Sequence, residues 1–252
     1  MAHSKSPIRL EGITVCNGYA DFLAATLPYN KALFDHLLVV TGYEDKETQH
    51  LCRDLSVECR PTDVFYKNGD PFAKARAIDW GLSFLRRDAW ILHHDSDILL
   101  PPDMRNILDI AELDDDCIYG ADRFNCIGYD HWKRYVSGHR LMHRHHCLMV
   151  PPPFPMGARL VLRDHSGYLP IGYFQLFHGR HGRRYPLHQG DAERTDVQHS
   201  LQWPGSKRHL LGELYCVHLE SESTAMGVNW RGRKSRRFGP RPVHGNHCGY
   251  GG

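Results

Sequence analysis

Ala89-Trp90-Ile91-Leu92-His93-His94-Asp95-Ser96-Asp97-Ile98-Leu99-Leu100-Pro101-Pro102 joins an apolar run to a pair of acids. Ala89 to Leu92 reads as a short buried strand. Asp95 and Asp97 follow one residue apart, then three aliphatic residues and a Pro-Pro pair that suits a helix start. Acids beside apolar strand residues are costly unless something neutralises them. On an extended chain residues i and i+2 face the same way, so both carboxylates can reach one ion. A hard divalent cation carrying an anionic ligand is a natural partner. The competing reading is a plain strand-end turn, where Asp is common.

Working upstream, Ile13 to Asn17 reads as a first strand. A helical stretch follows with Phe22, Leu23, Leu27, Leu33 and Phe34 as its apolar positions, and Pro28 is expected to break or kink it. His36 to Thr41 is a second buried strand, closed by Gly42. Asp45 to Leu55 reads as a helix with Asp45 as N-cap. Val57 to Cys59 forms a third strand, and Val64 to Tyr66 a short fourth piece. Pro71 to Leu85 is a helix, with Phe72, Ala75, Ile78, Leu82 and Leu85 near helical spacing. This alternation points to a Rossmann-like, mostly parallel α/β sheet flanked by helices. Ligands in such sheets sit beyond the carboxyl ends of the strands, where Asn17, Thr41, Asp95 and Asp97 fall.

Downstream, Met104 to Leu113 reads as a helix and Cys117 to Tyr119 as a strand. Residues 138–155, rich in His and then Pro, read as a loop. Leu160 to Leu162 and Tyr168 to Phe177 look like strands of a hairpin. Asp191 to Trp203 reads as a helix and Leu210 to Leu219 as a final core strand. One continuous domain is expected over 8–226, followed by an irregular, basic Gly/Arg-rich extension over 227–252.

At 252 residues, 41% hydrophobic and 24% charged, the chain has the composition of a soluble globular protein. A net charge of +2 gives no global field for nucleic acid, although Arg231, Arg233, Lys234, Arg236, Arg237 and Arg241 crowd the C-terminal end. Eight cysteines without a C-x-x-C pair read as reduced thiols. With no membrane-length apolar run and no apolar signal core, a cytoplasmic location without membrane insertion is expected. Among the 19 histidines, His139, His143, His145 and His146 with Cys147 could be read as a zinc cluster. No zinc-module spacing appears, so they are read as loop or surface histidines beside an acceptor cleft. His93 and His94 are expected to pack or hydrogen-bond next to the aspartates rather than ligate a metal.

Four segments, in order along the chain, carry a family resemblance: Asp95-Ser96-Asp97, Pro170-Ile171-Gly172-Tyr173-Phe174-Gln175, Arg194-Thr195-Asp196 with Val197 to Leu201, and Val217-His218-Leu219. Together, over roughly residues 12–238, they resemble nucleotide-sugar glycosyltransferases of the GT-A fold, family-2-like. The resemblance implies that Asp95-Ser96-Asp97 is the D-x-D signature holding a divalent metal on the donor diphosphate. It implies that Gly172 lies beside the donor sugar, that Asp196 is the base, and that His218 completes the metal site with Asp95 and Asp97. Thr195 departs from the family's acidic residue, so only Asp196 carries over. The resemblance also puts Lys74 and Arg76 on the nucleotide or phosphates, Asn17 and Thr41 at the uracil side, and Arg231 or Lys234 over the diphosphate. The plainer readings are a solvated helix face for Lys74 and Arg76, strand capping for Asn17 and Thr41, and a basic tail for the last two.

The implied activity is metal-dependent transfer of a sugar from a nucleotide-sugar, UDP-linked, to an acceptor hydroxyl. Departure of a nucleoside diphosphate builds negative charge that Mn²⁺ or Mg²⁺ offsets as a Lewis acid, and an imidazole ligand shifts the preference towards Mn²⁺. A carboxylate such as Asp196 takes the acceptor proton, which makes the reaction inverting. The acceptor stays open between a saccharide, a protein and a hydroxylated DNA base. Three other classes compete. A sugar nucleotidyltransferase shares the fold relation, but its Gly-rich N-terminal signature is missing after Asn17. A D-x-D phosphatase normally carries its motif on the opening strand, whereas at least two βα units precede it here. A non-catalytic relative binding nucleic acid through its basic tail would have no use for Asp95, Asp97, Asp196 and His218 together.

Overall fold

The computed structural model describes residues 7–69, 72–137, 163–187 and 192–220. In chain order the elements are β1 (Leu10–Val15), α1 (Ala20–Asn30), β2 (His36–Gly42), α2 (Lys46–Asp54), β3 (Glu58–Thr62), α3 (Lys74–Leu82), β4 (Trp90–His93), β5 (Ile98–Leu99), α4 (Met104–Ile110), β6 (Ile118–Ile127), α5 (Tyr129–Val136), β7 (Arg163–Asp164), β8 (Gly167–Tyr168), β9 (Gln175–His178), α6 (Ala192–Ser200) and β10 (Arg208–Glu220). Eight strands form one sheet in the order β3-β2-β1-β4-β9-β6-β10-β5, with β7 and β8 a separate hairpin. β3, β2, β1 and β4 run parallel. β9 runs antiparallel to both β4 and β6, and β10 is parallel to β6. The sheet is therefore mostly parallel, as the alternation of strand and helix signals predicts.

The strands have helices on both faces, and the period-2 pattern decides which residue meets which helix. On β2, Leu38 and Val40 join Ile13 of β1 and Ala75, Ala77 and Ile78 of α3 in one core cluster. Leu37 and Val39 turn the other way, towards Leu23 and Leu27 of α1 and Cys52 of α2. Each such fully buried aliphatic side chain contributes about 1.5–3 kcal/mol of apolar transfer energy. α3 lies tight on the sheet because Gly81 has no side chain: a Cβ there would stand 2.5 Å from Ile13 Cδ1 and 2.7 Å from Val40 Cγ2. That close seating sets the height of Lys74, at the first turn of the same helix.

Several boundaries differ from expectation. Val64 to Gly69 is a 3₁₀ turn rather than extended, and Arg76 donates from Nη1 to the carbonyls of Val64 and Lys67 and holds it wound. The helix expected from Pro71 begins at Lys74 and ends at Leu82. α1 keeps Pro28 inside it. Ile98–Leu99 pairs with β10 before the Pro-Pro turn, and α4 starts at Met104. The strand read as ending at Tyr119 continues to Ile127; Asp122 and Arg123 interrupt its apolar pattern, yet both are buried. Asp45 caps α2 as expected, accepting from the Thr48 N–H at 3.1 Å. The segment 160–162, the histidine cluster 139–147, Asp191, and the extension with Arg231 and Lys234 lie outside the described residues. Six described cysteines are free thiols, and among the described residues no helix is long and apolar enough to cross a membrane.

Candidate active site

The Asp95-Ser96-Asp97 turn leaves the carboxyl end of β4 at the middle of the sheet. Its backbone is pinned by α1: Thr26 Oγ1 donates to the Ser96 carbonyl at 2.8 Å, and Asn30 Nδ2 donates to the Ile98 carbonyl at 2.8 Å. The Leu219 N–H donates to the Asp97 carbonyl at 2.9 Å, tying the same turn to β10. The two aspartates then take different partners.

Asp95 Oδ1 meets Lys74 Nζ at 2.7 Å, and the same ammonium meets Asp196 Oδ2 at 2.8 Å. One buried lysine thus bridges the D-x-D turn and α6, residues 122 apart in sequence. Burial disfavours all three charges, but two facing carboxylates hold the Lys74 ammonium charged, well above its ordinary range. The carboxylates share that charge unequally. Asp95 is a third exposed and Asp196 only 8%. Against the desolvation it suffers, Lys74 holds Asp95 down at about 2. Burial pushes Asp196 up to about 6, despite Lys74 and with Asp95 adding to the rise. A carboxylate near 6 is set for proton transfer close to neutral pH.

Asp97 turns to the other side. Its Oδ2 lies 3.3 Å from His218 Nε2, and His218 Nδ1 lies 3.2 Å from Glu220 Oε1. The ring is 3% exposed. Burial resists its protonation, yet Asp97 and Glu220 outweigh that and raise it to about 9, with Arg123 opposing. Among the described residues no group of three or more His, Cys, Asp and Glu side chains gathers to hold a metal. A carboxylate on the far ring nitrogen is the usual orienting partner of a metal-bound imidazole. Asp95 pairs with Lys74 instead, while the His218 charge still reaches it.

Asp196 is positioned by three contacts. Gly172 lies against its carboxylate, and a Cβ at that position would overlap the oxygens. Gln175 on β9 donates from Nε2 to the Asp196 carbonyl at 2.9 Å and to Ser200 Oγ at 2.8 Å, fixing α6 against the sheet. Behind it, Tyr185 Oη donates to Gln175 Oε1 at 2.7 Å and sits 3.0 Å from His93 Nδ1. The His93 pKa is lowered by burial to about 3. His94 Nδ1 is 3.1 Å from the Asp95 carbonyl, and its ring stacks on Phe34. Both histidines therefore pack and hydrogen-bond, as expected.

The residues at the nucleotide side are tied into the scaffold. Asp45 Oδ2 accepts from the Gly18 N–H at 2.7 Å and from Thr41 Oγ1 at 3.2 Å, joining the ends of β1 and β2. Asn17 Nδ2 donates to Tyr66 Oη at 2.6 Å. Arg76 serves the 3₁₀ turn. The structure thus gathers Lys74, Asp95, Asp97, Gly172, Asp196 and His218 in one region of the sheet and leaves Asn17, Thr41 and Arg76 engaged beside it. Glu220 and Arg123 are the residues that sequence reasoning missed. Glu220 stands two residues from His218 on the same strand face, a spacing that could have flagged it.

No family model matches the chain, and no curated relative matches it. Solved structures do. A glucosyl-3-phosphoglycerate synthase from Mycobacterium tuberculosis, in complex with Mn²⁺, uridine-diphosphate-glucose and phosphoglyceric acid, is 12% identical, with 85% of this chain and 73% of that chain covered at a TM-score of 0.52. An inositol-1-phosphate CTP transferase from T. maritima is 12% identical, covering 85% of this chain and 90% of that chain at 0.50. A mannosyl-3-phosphoglycerate synthase from Rubrobacter xylanophilus is 18% identical over 47% of this chain and 41% of that chain, at 0.36. The chain thus spans less than half the length of that last protein. At these identities the likeness establishes a GT-A-like fold, an α/β domain with one eight-stranded sheet, and nothing finer.

Proposed function

We propose that this protein is a glycosyltransferase that moves a sugar from a UDP-linked donor to an acceptor hydroxyl, with inversion. The observation that carries the proposal is the convergence of the D-x-D turn, Lys74, Asp196 and the Asp97–His218 pair, drawn from the turn after β4 and from α3, α6 and β10. Asp97 and His218 would hold Mn²⁺ or Mg²⁺, oriented by Glu220. When bound, the ion supplies a Lewis acid that offsets charge on the departing diphosphate. Asp95 and Ser96 sit where a ribose and α-phosphate would meet the turn, and Lys74 adds fixed positive charge beside them. Asn17, Thr41 and Arg76 shape the uracil side, and Gly172, lacking a side chain, lets the Asp196 carboxylate lie close beside the sugar. Arg231 and Lys234 are assigned to the diphosphate on sequence alone.

In the transfer, the acceptor oxygen attacks C1 of the donor sugar as its proton passes to Asp196. The bond from C1 to the β-phosphate oxygen breaks, and its electron pair leaves with the nucleoside diphosphate. The raised Asp196 carboxyl suits that proton transfer. A fold shared with a CTP transferase gives a second reading, nucleotidyl transfer. One experiment separates the two: product release from UDP-glucose and from CTP, with and without Mn²⁺, in wild type and Asp97→Asn. Metal-dependent UDP release that Asp97→Asn abolishes supports the glycosyltransferase, and pyrophosphate release from CTP supports the alternative. Neither product from any nucleotide-sugar or nucleotide overturns both.

A further inference from the structure

Arg123 has no role in the scaffold just described. It lies on β6 with 9% exposure, and its guanidinium sits 4.6 Å over the ring of Tyr173. Among the described residues it makes no hydrogen bond and no salt bridge, and its buried Nε is without a partner. A buried guanidinium N–H without an acceptor is costly to keep, and the fork carries further donors that face no protein acceptor among the described residues. Asp122, next to it in the chain, is buried as well. The donors still need oxygens.

The register places Arg123 on the strand face that carries His218. Arg123 pairs directly with Cys216 on β10, so the two share a sheet face, and His218 two residues on shares it as well. Its charge reaches His218. Tyr173, beneath the guanidinium, follows Gly172, which abuts Asp196. Arg123 therefore lies near His218 and against Tyr173, the neighbour in sequence of the Gly172 that abuts Asp196. β6 is two strands beyond β4, on the side away from β1 and β2, the strands that end at Asn17 and Thr41. A nucleotide lying over β1 and β2 leaves this half of the cleft to the acceptor.

We propose that Arg123 receives an anionic group of the acceptor, a carboxylate or a phosphate, so that the acceptor is an anionic hydroxy compound rather than a neutral saccharide. Planar guanidinium forks pair with either group in bidentate fashion. The proposal rests on the glycosyltransferase reading for the word acceptor, while the anion site itself does not.

The test uses three probes that share hydroxyls and differ in charge: glycerol, glycerate and glycerol 3-phosphate. Each is titrated calorimetrically into the full chain, with and without UDP and Mn²⁺. Wild type should bind one or both anions and not glycerol, and the stronger anion identifies the group. Arg123→Gln should weaken that binding about 10- to 100-fold and leave UDP affinity within about twofold. Arg123→Lys, which keeps the charge but loses the fork, should fall between and serves where the glutamine variant does not fold. Equal binding of glycerol and the anions by wild type overturns the proposal, as does anion binding that both variants keep. A parallel loss of UDP affinity also overturns it, by moving Arg123 to the donor diphosphate. Absence of UDP binding in wild type sinks the glycosyltransferase reading, and the anion titration without UDP still decides the site.

Discussion

Replacing Asp196 by Asn separates the chemistry of the site from its stability. The carboxyl is 8% exposed and raised to about 6 from 3.8, chiefly by burial. At about 1.4 kcal/mol per pKa unit, holding it ionised above pH 6 costs the fold about 3 kcal/mol. The amide resembles the neutral acid in shape and escapes that cost. Lys74 keeps Asp95 as a partner at 2.7 Å, so its ammonium is not stranded. Asp196→Asn should therefore match or exceed wild type in melting temperature at pH 8. It should also bind UDP-glucose with Mn²⁺ normally, since no donor contact is removed. Transfer should fall about 10²- to 10⁴-fold with the loss of a general base. Differential scanning calorimetry at pH 8, calorimetric titration of UDP-glucose, and coupled UDP release with the true acceptor read the three quantities. In wild type, kcat/KM should rise through an apparent pKa near 6, because the ionised form is the active one. Near-normal turnover by the variant would remove Asp196 from the reaction and reopen a retaining mechanism. A large fall in melting temperature would instead show that the carboxylate serves the fold.

Other substitutions test the neighbouring contacts. Lys74→Met leaves Asp95 and Asp196 facing each other without a cation, and breaking a buried pair from one side costs about 3–5 kcal/mol; its melting temperature should drop sharply at pH 8 and recover towards pH 5, where Asp196 takes up a proton. Gly172→Ala adds a methyl group into the Asp196 carboxylate, so kcat should fall while circular dichroism stays native. Asp79, raised by burial to about 6 although it accepts the Tyr185 N–H at 2.6 Å, is an acid that the fold prefers neutral. The native state then binds more protons than the unfolded chain between pH 4 and 6, so this group's contribution falls as pH rises through that window. Asp79→Asn should flatten that part of the stability curve and add about 1–3 kcal/mol at pH 8, read by urea unfolding at both ends of the range.

The sequence alone determined the βα order, the central strand, and the acid pair at its end. Those signals are local: hydrophobic period, capping at Asp45, and the spacing of Asp95 and Asp97 are all written within a few residues. It also nominated Asp196 and His218, through resemblance of short segments rather than through any local physical signal. Tertiary structure decided which groups share a charge. Nothing near Lys74 in the chain says that it bridges Asp95 and Asp196, because a lysine on a short helix reads as solvated unless the packing of that helix is known. The same holds for β6, where Asp122 and Arg123 look like the end of a strand and are instead buried within it. A charged pair that reads as surface becomes buried only when neighbouring strands close over it. That closure depends on β9 and β10, more than 50 residues downstream by the spacing of strand and partner, and on contacts that no local window of sequence contains.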